Sequence, residues 1–516
     1  MIIFAIYFLL LCFLIYKNGF FGIFKDDKLN PKFYLTAFCV KCLGIIFFYF
    51  IYIRFYGGIM NCDTAHFYND SKVFNDISKW NFVEFLKILF GFQDDKRDTE
   101  VFKYFLQHTG VWDKNPEEFL YNDNRIIIRL NALIHFISFN NYSVHALITC
   151  FLSFIGIQWI YKAFKFLFPG KEISLFLVWV LFPGLWFWTA GVLKEGPALF
   201  LIGALLISLK RVFGDRSYTI KNIVMLIITV MFSFLLKLYV LLPVLFLSVL
   251  YFVIISSKKI KLKSAVYLAS FIILVITGNS ILKIAFNRDV VSLLAKRQCI
   301  FLSVSKGGIF LENEKYFVRL PYDSCLLKPN TISKAYEKFY IKKGASYMYW
   351  TRFSNDTLFC TNNSDTLTEY HLGYYFSPAK ATLNVKPMLN NYVSFFSYIP
   401  EALYITLFKP FFYDARNTLD YVASFENLII LAAFIFIIFA AIKNGFKNPA
   451  LIYFLSVAFS VLIIIGISSP NLGAMERYRA LVIPFILMGA LLSMSSAKFE
   501  QNKLSSFFKN NTANEN

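Results

Sequence analysis

Charge is scarce in this chain. Only 16% of its 516 residues are charged and 57% are apolar, a balance too hydrophobic for a soluble globule. Histidine is scarcer still: five are scattered along the chain without a cluster, and no structural zinc site is expected. Walker A, G-x-G-x-x-G, H-E-x-x-H and G-x-S-x-G patterns are all absent. Nucleotide hydrolysis and zinc or serine hydrolase chemistry therefore have no support. No basic stretch precedes the first apolar run either. The first charge is Lys17, after Met1 to Tyr16, which reads as an uncleaved first span with its N-terminus outside rather than a secretory signal.

What is present is apolar sequence in blocks of bilayer-spanning length. The fold class is an all-α polytopic membrane protein of about eleven spans: 2–16, 34–55, 144–167, 173–190, 196–209, 221–237, 239–256, 264–284, 425–442, 450–468 and 480–496. The net charge of +20 sits in short connectors between these blocks, which excludes a nucleic-acid-binding reading. Lys17, Lys25, Lys28 and Lys32 follow the first span; Lys210, Arg211, Arg216 and Lys221 follow the fifth; Lys258, Lys259, Lys261 and Lys263 follow the seventh. Every second connector is basic, which assigns those connectors to the cytoplasm.

Two long segments then face outside. Residues 57–143 contain amphipathic stretches around Phe82–Phe90 and Arg125–Ile134, read as helices lying along the membrane surface. Residues 285–424 read as a small mixed outer domain with some strand. The chain thus divides into an N-terminal membrane region 1–284, the outer domain 285–424, C-terminal membrane helices 425–497 and a disordered cytoplasmic tail 498–516. Among eight cysteines, Cys12, Cys39, Cys42 and Cys150 lie in apolar blocks and read as packing residues. Cys62, Cys299, Cys325 and Cys360 fall outside, where Cys325–Cys360 is the favoured bridge.

Four groups carry ionisable residues near the expected outer surface, where such groups are costly unless used. Asp63, in Cys62-Asp63-Thr64-Ala65-His66-Phe67-Tyr68-Asn69-Asp70, can accept a proton from an acceptor hydroxyl or hold a divalent cation, or simply start a helix. Lys194 and Glu195 sit at a Gly/Pro break between apolar runs, Gly191 to Pro197. Such a break either lines a cavity or is a tight outer hairpin. A helix starting near Pro197 would aim free N–H groups at an anion beside Lys194. Lys237 is a lone cation between two spans, able to bind phosphate or to snorkel to the headgroups. In Glu476-Arg477-Tyr478-Arg479, the paired guanidinium groups suit a phosphate, or else an interfacial Tyr/Arg anchor.

The combination resembles the GT-C superfamily of membrane glycosyltransferases, which includes the protein mannosyltransferases and the aminoarabinose lipid A transferases. The likeness rests on Asp63 in the first outer loop and on Phe182-Pro183-Gly184 through Leu193-Lys194-Glu195-Gly196. It also rests on Phe408-Lys409-Pro410 with Glu426-Asn427, and on Arg477-Tyr478-Arg479. It departs from the family in an extra first span and in the lack of adjacent acidic residues at Asp63. The resemblance implies transfer of a sugar from a polyprenyl-phosphate carrier to a glycan, lipid or protein acceptor on the periplasmic side of a bacterial inner membrane. Asp63 and Glu195 would be the catalytic acids. Lys194, Lys237, Arg477, Tyr478 and Arg479 would hold the substrate, and a divalent cation is the one optional cofactor. A lipid-linked saccharide flippase and an O-antigen polymerase or ligase are the alternatives. The six charged residues Asp63, Lys194, Glu195, Lys237, Arg477 and Arg479 are expected to converge on one cavity.

Overall fold

The computed structural model describes the backbone of residues 2–58, 62–112 except 93, 95 and 97, 122–306 except 288, the strands within 308–376, and 383–494 except 384, 386, 387, 445 and 446. Its first helices are α1 (Ile2–Asn18), α2 (Pro31–Tyr56), α3 (Asp63–Trp80), α4 (Phe82–Leu89), α5 (Glu100–Tyr104), α6 (Asn124–Ser138) and α7 (Tyr142–Phe164). Then come α8 (Glu172–Leu181), α9 (Pro183–Trp188), α10 (Glu195–Leu209), α11 (Ile220–Leu235), α12 (Leu238–Ser256), α13 (Lys263–Phe286) and α14 (Val290–Lys306). Among the described residues, seven strands precede the last five helices, α15 (Tyr392–Phe408), α16 (Thr418–Asn444), α17 (Pro449–Ser468), α18 (Leu472–Arg479) and α19 (Ile483–Ser493).

Among the described residues, seven helices are long and apolar enough to cross a bilayer: Pro31–Arg54, Tyr142–Leu167, Glu195–Gly214, Leu238–Ser256, Lys263–Ala285, Thr418–Lys443 and Pro449–Ser468. The chain is a multi-pass membrane protein. Four shorter apolar helices, Ile2–Lys17, Glu172–Leu181, Ile220–Leu235 and Ile483–Ser493, fall where the other four spans were expected. The segment 173–190 is not one helix. It splits after Leu181 because Pro183 has no N–H to continue the ladder and disfavours helix at Phe182. On α13, Ile272, Ile276 and Ile284 are 56%, 60% and 86% exposed, an apolar surface that a bilayer would cover.

The chain forms two compact units. The first comprises Met1–Leu268, Ala432–Ala458 and Ala480–Asn516; the second comprises Ala269–Leu431 and Phe459–Arg479. In the first unit, α7 and α10 make the tightest helix pair. A Cβ on Gly203 would lie 2.2 Å from the Gly156 carbonyl oxygen, and one on Gly156 would lie 2.4 Å from that of Leu199. Only glycine permits this backbone approach, the usual way membrane helices gain packing where lipid offers no hydrophobic drive. Aromatic rings fill the rest: Phe38, Phe151 and Phe154 around α2 and α7, and Phe164, Tyr453 and Phe454 around α7 and α17.

The stretch 124–138 is helical, but its arginines do not lie against headgroups. Arg125 and Arg129 are buried, each over the Trp112 ring at 5.4 and 5.3 Å, and both pair with Asp94. The polar side of α6 also buries His135, which bonds Ser71 on α3 and Asn140. Its exposed face is Leu133, Phe136 and Ile137. The helix thus buries both polar and apolar side chains, Ile127, Ile128, Ala132 and Ile134 among them, and leaves an apolar face exposed, unlike a soluble surface helix.

In the second unit the strands are β1 (Gly308–Glu312), β2 (Tyr316–Leu320), β3 (Leu326–Leu327), β4 (Lys338–Ile341), β5 (Ser346–Thr351), β6 (Thr357–Thr361) and β7 (Tyr370–Phe376). They form one antiparallel sheet in the order β3-β4-β7-β1-β2-β5-β6. Consecutive strands pair at β1–β2, β3–β4 and β5–β6, while β7 inserts between β4 and β1. Cys325 and the tail 498–516 lie outside the described residues, so the expected Cys325–Cys360 bridge does too.

Candidate functional site

The first unit gathers four of the expected site residues at helix ends. Asp63 is exposed at the first position of α3. It does not cap the helix; that place belongs to Cys62, which makes no side-chain cap bond. Thr64 beside it is fully buried and shares a 2.6 Å hydrogen bond with the Tyr142 hydroxyl at the start of α7. Tyr142 also meets the backbone of Val192, in the bend between α9 and α10. One turn beyond Asp63, Phe67 lies under the Lys194 ammonium, 5.6 Å from ring centre to nitrogen. Lys194 pairs in turn with Asp123 at 2.5 Å. The α3 start, the α7 start and the α9–α10 bend therefore form one neighbourhood.

Glu195 opens α10, two residues before the expected Pro197 start. Its carboxylate is fully buried and lies 2.7 Å from the Lys237 ammonium, itself 2% exposed. Lys237 does not snorkel. The residue takes a left-handed backbone (φ 44°) between α11 and α12, turning its side chain inward, where Tyr239 receives a second hydrogen bond at 3.1 Å. Burying two charges is worthwhile only when the pairing geometry is good, and loss of either partner leaves an uncompensated charge. This pair ties the α10 start to the α11–α12 corner.

Three charged residues here were given no role of their own from sequence, although Asp70 closes the Cys62–Asp70 motif. Lys41 is fully buried in the middle of α2 and donates to Thr189 Oγ1 at 2.7 Å. Thr189 is the C-cap of α9, so the ammonium sits at the carbonyl end of a broken helix, where positive charge is favoured. A cation isolated in an apolar span was the available signal. Cys39 and Cys42 flank it at C-x-x-C spacing, which the apolar surroundings hid. Asp123 carries no sequence signal beyond its charge. Asp70, two turns after Asp63, accepts the backbone N–H groups of Gly110 and Val111 at 2.8 Å each. Burial nevertheless raises its carboxyl above the usual range, with those two hydrogen bonds opposing the shift.

Arg477, Tyr478 and Arg479 belong to the second unit, on the eight-residue α18. Residues two apart on a helix point about 200° from each other, so the two guanidinium groups do not form a parallel pair. Arg479 is fully buried and binds the Thr406 carbonyl at 2.7 Å, the Lys409 carbonyl at 3.3 Å and Asn427 Oδ1 at 2.7 Å. Glu426 lies 3.7 Å away. These bonds tie α18 to the end of α15 and to α16. Glu476, one turn earlier, is half-buried, yet its Oε1 is shut from solvent and has no hydrogen-bond partner among the described residues.

Among the described residues, no group of three or more His, Cys, Asp or Glu side chains is arranged to hold a metal ion. No protein family, characterised protein or solved structure matches this chain.

Proposed function

We propose that this protein is a membrane glycosyltransferase that takes a sugar from a polyprenyl-phosphate carrier and delivers it to an acceptor outside the cytoplasm. In this reading the four shorter apolar helices also cross, giving eleven spans, and residues 57–143 and the β-sheet region lie on the outer side. The basic connectors support that orientation. One observation carries the reading. Asp63, exposed at the start of α3, stands one turn from Phe67, over which Lys194 lies, and the Glu195–Lys237 pair begins on the next residue. Carboxylates and ammonium groups thus meet at the ends of apolar helices. That composition suits a phosphate leaving group stabilised by cations and an acceptor hydroxyl deprotonated by a carboxylate. Asp63 is the proposed base, because it alone of these carboxylates is exposed. Glu195 positions Lys237; Arg477, in the second unit, is a separate candidate cation for a phosphate group.

The test uses the full chain in lipid nanodiscs with a panel of polyprenyl-phosphate sugars, following release of polyprenyl phosphate. Asp63→Asn should lower turnover by about 10²–10⁴-fold, the usual worth of a general base, with carrier binding retained. Wild-type turnover in that variant would remove the proposed base. Movement of intact carrier between leaflets without cleavage would favour a flippase.

A further inference from the structure

Two connectors of the first unit are strongly basic and take no part in the site described above. Residues 210–221 and 258–263 carry eight lysines and arginines against one carboxylate, Asp215. That carboxylate is already paired with Lys210 at 2.7 Å. The fold holds the two connectors together. Arg216, in a left-handed backbone (φ 56°) at the α10–α11 corner, donates to the Ser256 carbonyl at the end of α12 at 3.1 Å. Lys263 donates to the Ile255 carbonyl at 2.7 Å, and the Ser264 hydroxyl to the Lys447 carbonyl at 2.6 Å, which brings the α16–α17 corner alongside. Lys221, Lys258, Lys259 and Lys261 are exposed and form no ion pair among the described residues. Like charges gathered at one corner repel one another, and within the two connectors no second carboxylate offsets them. Large apolar side chains stand exposed between these cations, Ile220 at 83% and Leu262 at 74%, with Tyr218 beside them. From Ile220 the exposed apolar face continues along α11 through Val224, Ile227 and Met231, at helical spacing.

We propose that the α10–α11 and α12–α13 corners together bind the headgroup of an anionic phospholipid, with an acyl chain lying along the exposed face of α11. Nothing in this binding depends on the proposed sugar transfer; it needs only a chain that crosses the bilayer. The basic corner and the apolar stripe meet end to end, as the phosphate and the acyl chain of a phospholipid do. Lysine suits such a place, because its stem can lie on apolar surface while the ammonium stays among headgroups. A zwitterionic headgroup brings its own cation beside the phosphate and leaves the excess positive charge unanswered. An anionic one with an uncharged polar end, such as phosphatidylglycerol, offsets it. Each lysine near the membrane surface favours an anionic headgroup by about fivefold. Arg216 acts as a positioning residue, since its bond to the Ser256 carbonyl joins the two corners.

The test is native mass spectrometry of the full chain released from nanodiscs of mixed phosphatidylglycerol and phosphatidylcholine, reading which lipid stays bound. Wild type should retain phosphatidylglycerol in preference. The triple variant K258Q/K259Q/K261Q should lose that preference by about fivefold per lysine removed. K258R/K259R/K261R keeps the charge and should keep the preference, which separates loss of binding from loss of fold. A control triple, K25Q/K28Q/K32Q, removes the same charge from exposed positions of the α1–α2 connector, and should bind as wild type does. No preference in wild type would overturn the proposal. So would an equal loss in the control triple, which would mean that net charge and not this corner attracts the lipid. Soluble glycerophosphoglycerol, the headgroup without acyl chains, should fail to displace the bound lipid at equal concentration. Its displacing the lipid would remove the α11 stripe from the site.

Discussion

Breaking the Glu195–Lys237 pair is the perturbation whose size the structure fixes best. Both side chains are buried, at 0% and 2% exposure, and the charges are 2.7 Å apart. Lys237→Met removes the ammonium but keeps the length of the side chain, leaving Glu195 as an ion shut away from water. That should cost about 3–5 kcal/mol, the range for an orphaned buried charge. Glu195→Leu strands the ammonium instead and should cost a similar amount. The double variant leaves neither charge behind. It should recover most of the loss, because apolar replacement of a buried pair is often neutral or stabilising by ~1–4 kcal/mol. A double-mutant cycle from reversible SDS unfolding in mixed micelles would then give a coupling of several kcal/mol. Under the proposed function the same double variant should still fold yet transfer no sugar, because the Lys237 cation assigned there to the carrier phosphate is gone. Additive single effects, or single losses under about 1 kcal/mol, would refute the buried pairing.

Other expectations follow from packing and charge. Gly203→Ala places a methyl group 2.2 Å from the Gly156 carbonyl oxygen; it should lower the unfolding midpoint by an amount equivalent to roughly 1–3 kcal/mol of overpacking. Lys41→Met should destabilise the chain by about 1–3 kcal/mol through the lost Thr189 bond and helix-end charge, read in the same unfolding assay. For Glu476 the sign follows from a folded value raised to about 8 from 4.5. Unfolding releases the proton between those values, so stability falls as pH rises from the ordinary carboxylate range to about 8 and is level above it. Glu476→Gln should erase that slope in unfolding midpoints measured from pH 5 to 9.

The membrane helices were legible because a bilayer span needs an uninterrupted apolar block, and no tertiary contact can substitute for it. Five of the seven long helices lie within three residues of an expected span at both ends, as Pro449–Ser468 does for 450–468, whereas Thr418–Lys443 begins seven residues before 425 and Glu195–Gly214 runs five past 209. The break at Phe182–Pro183 was less legible: Gly191 and Pro197 drew attention, and the earlier proline sat inside a run still long enough to span. The partners of the α6 arginines were not legible, for a different reason. Hydrophobic periodicity locates a face but not what covers it, and Arg125 beside Ile126–Ile128 fits a headgroup as well as a buried tryptophan. At the site, sequence located the charges at Lys194, Glu195 and Lys237 but not their partners. Pairing across 71 residues, as between Lys194 and Asp123, leaves no local signature. Lys41 shows the opposite case, a signal present in an apolar run but passed over in favour of charges at span ends.

The motif Arg477-Tyr478-Arg479 shows how spacing alone misassigns a pair. Written as a string, the two arginines are near neighbours and suit one phosphate; wound into α18, they diverge by about 200°. Their roles should therefore separate experimentally. Arg479→Ala would free two backbone carbonyls and Asn427 and leave Glu426 without its buried cation. A loss of roughly 3–5 kcal/mol in unfolding free energy is expected, with whatever phosphate affinity remains in the folded fraction unchanged. Arg477→Ala should weaken binding of an isoprenyl monophosphate in the folded fraction by about 1.5–3 kcal/mol, or roughly 10- to 150-fold in Kd, the worth of one charged hydrogen bond. Equilibrium binding and unfolding measured on the same preparations decide the matter. Equal loss of affinity in both variants at unchanged stability would mean that the guanidinium groups do act on one anion, and that the contacts of Arg479 give way when phosphate arrives.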